Sequence, residues 1–530
     1  MARRVMTRAA SGASILSMQS FINTLLGALF FMYMVRVLTK EDMGIYGAVT
    51  LVISIAAIVG ILGLNYAAAR YLPHFSGKNE PQNTRLTAKY IVICVSISAS
   101  SLALIYFILS NDFSKIMLGT GAYTYIFQAA VLLVFIKIYG LVFTGFLQGI
   151  QRFRHLAIFN FLAQIVKISS SVGLLILGFG VVAVIWGAAA YYILFAVLTL
   201  PLILKLFRTP KTNTNRDKNV NSISIKALFL FSIPMMGYEI VTFLSASLDQ
   251  FVVLSFVSIT TFGAYVVAGT GATILTTIFA MPLLLTLTPS MSEIYSASGK
   301  ERVAKAMHSA SRYIAMVSIP ASFGLAALAP LAIWILAGTT YADATIPLAI
   351  MGIGTCFYGF STMITSSLIA LGETRKAMII IALSALILLA ASAALTPVLG
   401  ISGAAIGKVI MYGGMLLLFI RIGSKVIPIT FDKRAIVGCS LSATIMAVLI
   451  YAFAFLTHFS VILFPAYLIM GVVIYSLTLA MTRTLTVIDI EFLASIIPQG
   501  DEVYHKIRTT IKRSPILLRT IDKLLRSKEN

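Results

Sequence analysis

Charged side chains are scarce in this chain: Asp, Glu, Lys and Arg make up 11% of its 530 residues, where a soluble domain carries roughly 25%. With 59% hydrophobic residues, a water-soluble surface cannot be built. Acids are scarcer still, 18 against 40 Lys and Arg, which leaves a net charge of +22. Only three cysteines occur, Cys94, Cys356 and Cys439, all inside apolar runs. They read as small buried hydrophobes and offer neither a disulfide framework nor metal-ligand spacing. His74, His155, His308 and His505 are scattered without metal spacing, and the sequence holds neither a phosphate-cradling glycine loop nor a nucleophile elbow. The first apolar run follows Arg3, Arg4 and Arg8, as in a signal peptide. It is too long for one and contains Gln19 and Asn23, so it reads as a retained helix.

What the chain does have is apolar runs, long ones. Crossing a hydrocarbon layer takes about 20 residues as a helix and about 10 alternating ones as a barrel strand. The runs here fit the helix, near 12–37, 45–69, 90–110, 123–149, 155–177, 181–204, 228–256, 262–289, 313–337, 345–371, 377–396, 402–420, 435–456 and 461–482. The expected fold is therefore an all-α membrane protein of 14 transmembrane helices. Basic residues orient it. With the N-terminus inside, 34 Lys and Arg fall in cytoplasmic segments and three outside, Arg36, Lys40 and Lys115. Both termini are then cytoplasmic, in the cell membrane. The positive charge spreads over eight segments facing anionic lipid heads, which argues against a nucleic-acid partner. In the basic tail, 483–530, Leu517, Leu518, Ile521, Leu524 and Leu525 share one face of an amphipathic helix that suits the inner leaflet or a docking enzyme.

Helices 1–6 and 7–12 read as two copies of one unit. Gly44-Ile45-Tyr46 returns as Gly263-Ala264-Tyr265 at an offset of 219. Gly77, Arg154 and Gly178 return as Gly299, Lys376 and Gly400 at an offset of 222. An even number of helices per copy gives parallel repeats, related by a pseudo-twofold along the membrane normal and facing each other across a cleft. The expected divisions are 1–204 for the N-terminal lobe, 205–227 for a cytoplasmic linker, 228–424 for the C-terminal lobe, and 425–482 for helices 13 and 14.

Five charged residues fall inside the spans: Lys137, Lys167, Lys408, Glu239 and Asp249. Each costs about 2.5–3.5 kcal/mol on insertion scales, which directs it to a wet or protein-lined interior. Asn160, Gln164, Lys167 and Ser171 form one stripe within about 60° of helical arc. Lys137, Thr144 and Gln148 repeat the device on helix 4, and Lys408 and Tyr412 sit one turn apart on helix 12. Two readings stand. The lysines and acids pair inside the bundle, Lys167 or Lys408 neutralising Asp249; or the lysines form a cationic cavity for an anionic ligand. Asp249 and Glu239 are then candidates for coupling to H⁺ or Na⁺, with no other cofactor or metal expected. Arg36, at the outer end of helix 1, either passes a head group outward or anchors the interface.

The segment Leu38-Thr39-Lys40-Glu41-Asp42-Met43-Gly44-Ile45-Tyr46 resembles a signature of polysaccharide flippases in the multidrug/oligosaccharidyl-lipid/polysaccharide exporter superfamily. Leu147-Gln148-Gly149, Arg152-Phe153-Arg154 and Phe231-Ser232-Ile233-Pro234 with Asp249 are similar to that family's helices 4 and 7. The resemblance implies a transporter, not an enzyme, that flips a polyprenyl-linked oligosaccharide from the cytoplasmic to the outer leaflet. Glycan-assembly enzymes and membrane lipids are its implied partners. A cation-coupled drug exporter of the same fold is the alternative, though the spans of the first lobe hold lysines where such relatives hold acids. A peptidoglycan-precursor flippase is disfavoured because no arginine lies between Arg8 and Arg36. A membrane glycosyltransferase or polymerase finds only Glu41, Asp42, Asp112, Asp343 and His458 on short outer loops.

Overall fold

A computed structural model describes residues 2–78, 80–207, 224–482 and 484 of the chain. Among these residues every regular element is a helix. The first repeat comprises α1 (Ala2–Val37), α2 (Lys40–Ile61), α3 (Leu64–Gly77), α4 (Pro81–Ile108), the short α5 (Ser110–Leu118), α6 (Thr124–Gly149), α7 (Phe153–Ile176) and α8 (Gly180–Phe207). The second comprises α9 (Ile225–Phe256), α10 (Ile259–Ala327, two helical stretches joined at a non-helical Gly299), α11 (Ala329–Ala337), α12 (Thr345–Ala370), α13 (Thr374–Leu399) and α14 (Ile401–Gly423). Helices α15 (Lys433–Leu456) and α16 (Phe464–Met481) follow. Among the described residues thirteen spans are long and apolar enough to cross a membrane, and a bent pair, Leu287–Ala327 with Ala329–Ala337, brings the number to 14 when it is taken as one span. The chain is a multi-pass membrane protein. Most of the expected linker (208–223), and the expected tail apart from Thr484, lie outside the described residues.

Two spans read as single helices are broken. The second divides into α2 and α3 at Leu62 and Gly63, both with positive φ. A Cβ on Gly63 would strike the Ser232 carbonyl of α9, so this break is also where α3 closes on the second repeat. The ninth span turns by 75° after Ala327, and Pro330 stands at the start of the new helix, α11, where its missing N–H costs nothing.

The repeat is visible in local geometry. Thr39 caps α2, its hydroxyl accepting from the Asp42 N–H at 3.1 Å, and Asp42 returns the bond to the Thr39 N–H at 3.2 Å. Ser258, 219 residues on, caps α10 by accepting from the Thr261 N–H at 3.3 Å. The turns after α7 and α13 use Gly178 (φ 84°) and Gly400 (φ 58°), a conformation that other L-residues rarely adopt. In lipid there is no hydrophobic drive between helices, so small residues that allow backbones to approach decide where helices meet. At the seam between the repeats a Cβ on Gly44 would collide with the Ile259 carbonyl, and one on Gly263 with the Lys40 carbonyl. Lys40 and Ile259 are themselves 219 residues apart, so the contact is reciprocal, as a pseudo-twofold requires.

Helices α15 and α16 pack on the later part of α10, where the Tyr475 hydroxyl donates to the Met316 carbonyl at 3.1 Å. Arg312 of α10 pairs with Asp432, which caps α15, at 2.9 Å, and also donates to the Thr484 carbonyl.

Candidate substrate-binding site

The site is built inside the first repeat. Gln164 and Lys167 of α7, Lys137 of α6, Tyr46 and Thr50 of α2, and Tyr191 and Tyr192 of α8 line a cavity of about 220 Å³. The Lys137 ammonium donates to the Ser54 hydroxyl at 3.4 Å. The Lys167 ammonium lies 5.9 Å from the centroid of the Phe30 ring, a cation–π arrangement. No carboxylate lines the cavity, and among the described residues neither lysine has an acidic partner. A hydroxyl and an aromatic face are weak compensation for two ammonium groups removed from bulk water. An anion with several acceptor oxygens would offset both charges at once.

The polar stripes divide between contact and support. Asn160 stays off the wall and accepts from the Tyr191 hydroxyl at 2.8 Å, which fixes the ring that does line it. Ser171 is buried against Gly187, closing α7 onto α8. Gln148, one face with Lys137 in the sequence, is exposed and lines no part of the cavity. Tyr46, Thr50, Tyr191 and Tyr192 are additions that sequence reasoning missed. Tyr46 is the last residue of the α2 signature and Thr50 sits one turn beyond it, which is the signal in the sequence that points to them.

The single three-lysine chamber expected where the halves meet does not form in this structure. Lys408 of α14 lies in the second repeat, its ammonium donating to Asp249 Oδ2 at 2.8 Å and to the Ala246 carbonyl at 3.0 Å. Asp249 takes a further hydrogen bond from the Tyr265 hydroxyl. Helical periodicity assigns a residue to a face, but two faces of like polarity can look into different interiors. The Tyr412 ring lies 5.3 Å from that of Tyr358, tilted by 53°, beside this pair. Glu239 faces the first repeat, accepting hydrogen bonds from Tyr66 and, at 3.4 Å, from Asn65 of α3. Arg36 donates to the Ile335 carbonyl of α11 at 2.9 Å, and Lys40 pairs with Asp343 at 2.8 Å. In this structure both fasten the seam between repeats. Arg152, at the start of α7 in the Arg152-Phe153-Arg154 motif, lines a separate cavity with Gln151 and with Lys205 from the last turn of α8. No group of three or more metal-ligating side chains is present among the described residues.

A family model described as polysaccharide biosynthesis protein matches residues 33–346, a stretch that contains every wall of the lysine cavity. The chain belongs to that family. The succinoglycan biosynthesis transport protein ExoT of Rhizobium meliloti (strain 1021) is 24% identical over 311 residues, 58% of each chain. The match thus spans somewhat over half of that relative's length. Among solved structures, the lipid II flippase MurJ in an inward closed conformation superposes with a TM-score of 0.71 at 14% identity, over 88% of this chain and 98% of that one. An inward-facing multidrug resistance MATE transporter of the MOP superfamily gives 0.60 at 15% identity, over 76% and 94%. A MOP superfamily transporter from Pyrococcus furiosus, described as having a binding pocket of reverse polarity, gives 0.52 at 18%, over 78% and 96%. At these identities the likeness establishes the fold.

Proposed function

We propose that this protein flips a polyprenyl-(pyro)phosphate-linked oligosaccharide from the cytoplasmic to the outer leaflet of the cell membrane, the two repeats rocking in alternating access. The observation that carries the reading is the Lys137–Lys167 pair: two half-buried lysines on one cavity whose wall carries no acid to neutralise them. The phosphate groups of the head accept from Lys137, Lys167 and Gln164, while the polyprenyl tail remains in the bilayer. Tyrosines at the wall suit sugar hydroxyls or ring faces. The family match supports a role in polysaccharide export, and the basic loops support an orientation with both termini cytoplasmic. Glycan-assembly enzymes are the natural partners on that side.

Transport in proteoliposomes tests the reading. With a fluorescently labelled polyprenyl-pyrophosphate oligosaccharide, Lys137→Ala and Lys167→Ala each lower the initial rate by roughly tenfold or more, the scale of a lost hydrogen bond to a charged group. Rates unchanged in the double variant would overturn the site. A second reading, export of a cationic drug, draws on the MATE-like fold. The absence of any carboxylate on the cavity wall disfavours it, because an ammonium pair repels a cation.

A further inference from the structure

The same offset that relates Tyr46 to Tyr265 relates Phe30 to Asp249. In the first repeat Phe30 offers a ring to Lys167, and Tyr46 lines the cavity. In the second repeat the counterparts are a carboxylate and a tyrosine that donates to it. The two repeats thus carry related interiors of different charge: two lysines without an acid in one, and a carboxylate in the other. That carboxylate is fully buried, with 0% side-chain exposure, and a lone buried charge of this kind does not persist without a cation or a proton.

We infer that Asp249 is the core of a monovalent-cation site in the second repeat, and that the ammonium of Lys408 occupies it as a tethered cation. Lys408 makes contacts that suit an inorganic ion, one carboxylate oxygen at 2.8 Å and one backbone carbonyl at 3.0 Å, and its own side chain is only 12% exposed. The second carboxylate oxygen, Oδ1, is buried without a hydrogen-bond partner, so the site holds an unused ligand. The ammonium comes from α14 and the carboxylate from α9, so the pair also clamps the second repeat in a fixed arrangement. The consequence is specific. Asp249, a candidate for ion coupling by sequence, has its positive charge supplied from within the chain, and the intact protein has no need of sodium at this position. The inference concerns the second repeat alone and does not depend on the identity of the cargo.

The test is thermal unfolding of the purified full-length protein in NaCl, KCl, LiCl or choline chloride at matched ionic strength. The wild type is expected to unfold at the same temperature in all four salts. Lys408→Met, which keeps the length of the side chain and removes the charge, is expected to gain about 2–4 °C in at least one alkali chloride over choline chloride, the scale of a ligand that binds only the folded state. The double variant Lys408→Met/Asp249→Asn should lose that gain. An alkali-selective shift of equal size in the wild type, its persistence in the double variant, or its absence from a folded Lys408→Met protein would each overturn the inference.

Discussion

Gly44 and Gly263 pack helix start against helix start at the seam between the repeats, each occupying the space that a side chain on the other's helix would deny it. The backbone approach is so close that a methyl group at either position meets a carbonyl oxygen. Overpacking of this kind costs about 1–3 kcal/mol, and here the cost falls on one arrangement of the two repeats, not on either repeat alone. Gly44→Ala or Gly263→Ala should therefore open the seam while leaving the protein folded. In a background without the native cysteines, crosslinking of K40C to D343C by a short bifunctional thiol reagent that spans the length of the lost Lys40 side chain reports the closed seam and should fall severalfold in either variant. Gly237→Ala, where a methyl group meets nothing, is the control and should leave it unchanged.

The cavity predicts a contrast between two glutamines that the sequence treats alike. Gln164 lines the wall beside both lysines, whereas Gln148 is exposed. Replacing Gln164 with Ala should reduce glycolipid transport by roughly tenfold, the scale of one hydrogen bond to a charged group. Gln148→Ala should change it by no more than about twofold, as expected of a surface position. Equal losses in the two variants would place the substrate elsewhere.

Asp432 sets a stability that depends on pH. Burial alone would raise its pKa, but the Ala435 N–H, the hydrogen bond and charge of Arg312, and nearby His308 together hold it below the ordinary value of 3.8. A depressed carboxylate stabilises the fold above its unfolded-state pKa, and that contribution disappears as pH falls through the lower folded value. Asp432→Ala should cost about 1 kcal/mol near neutrality, the scale of a lost helix cap. The deficit should shrink in unfolding curves recorded progressively below pH 4.

The Lys40–Asp343 pair lies at an exposed end of the seam, with Asp343 43% accessible. Exposed pairs of this kind contribute at most about 1 kcal/mol and are screened by salt. Asp343→Ala should therefore lower unfolding temperature only slightly in dilute buffer and not at all in about 1 M salt. A large loss that survives high salt would give the pair a structural weight that its exposure does not suggest.

Much of the fold was legible because lipid leaves two spanning structures, the helix and the closed barrel, and only a helix needs apolar runs as long as these. Run length located the spans, and the recurrence of Gly44-Ile45-Tyr46 as Gly263-Ala264-Tyr265 pointed to the two repeats. The breaks were less legible. Leu62 adopts positive φ without a sequence cue, and the 75° turn after Ala327 leaves only Pro330 as its trace. For the site, the stripe on α7 correctly set Gln164 and Lys167 on one face. Periodicity carries no information about which interior that face meets, so Lys408 was grouped with lysines that it never approaches. Its pairing with Asp249 was one of the two arrangements the residues allowed, and only the packing of α9 against α14 distinguishes them. Tyr191 was missed because its role, held by Asn160 31 residues away, depends on a helix-to-helix contact.

By gripping both Asp432 and the Thr484 carbonyl, Arg312 gives the molecule a fixed reference point at the basic face. A spectroscopic label at Thr482 would be carried by α10, and one at Arg85 on α4 by the opposite repeat. The distance between the two would then serve as a ruler for each stroke of the transport cycle, read without altering any residue on the cavity wall.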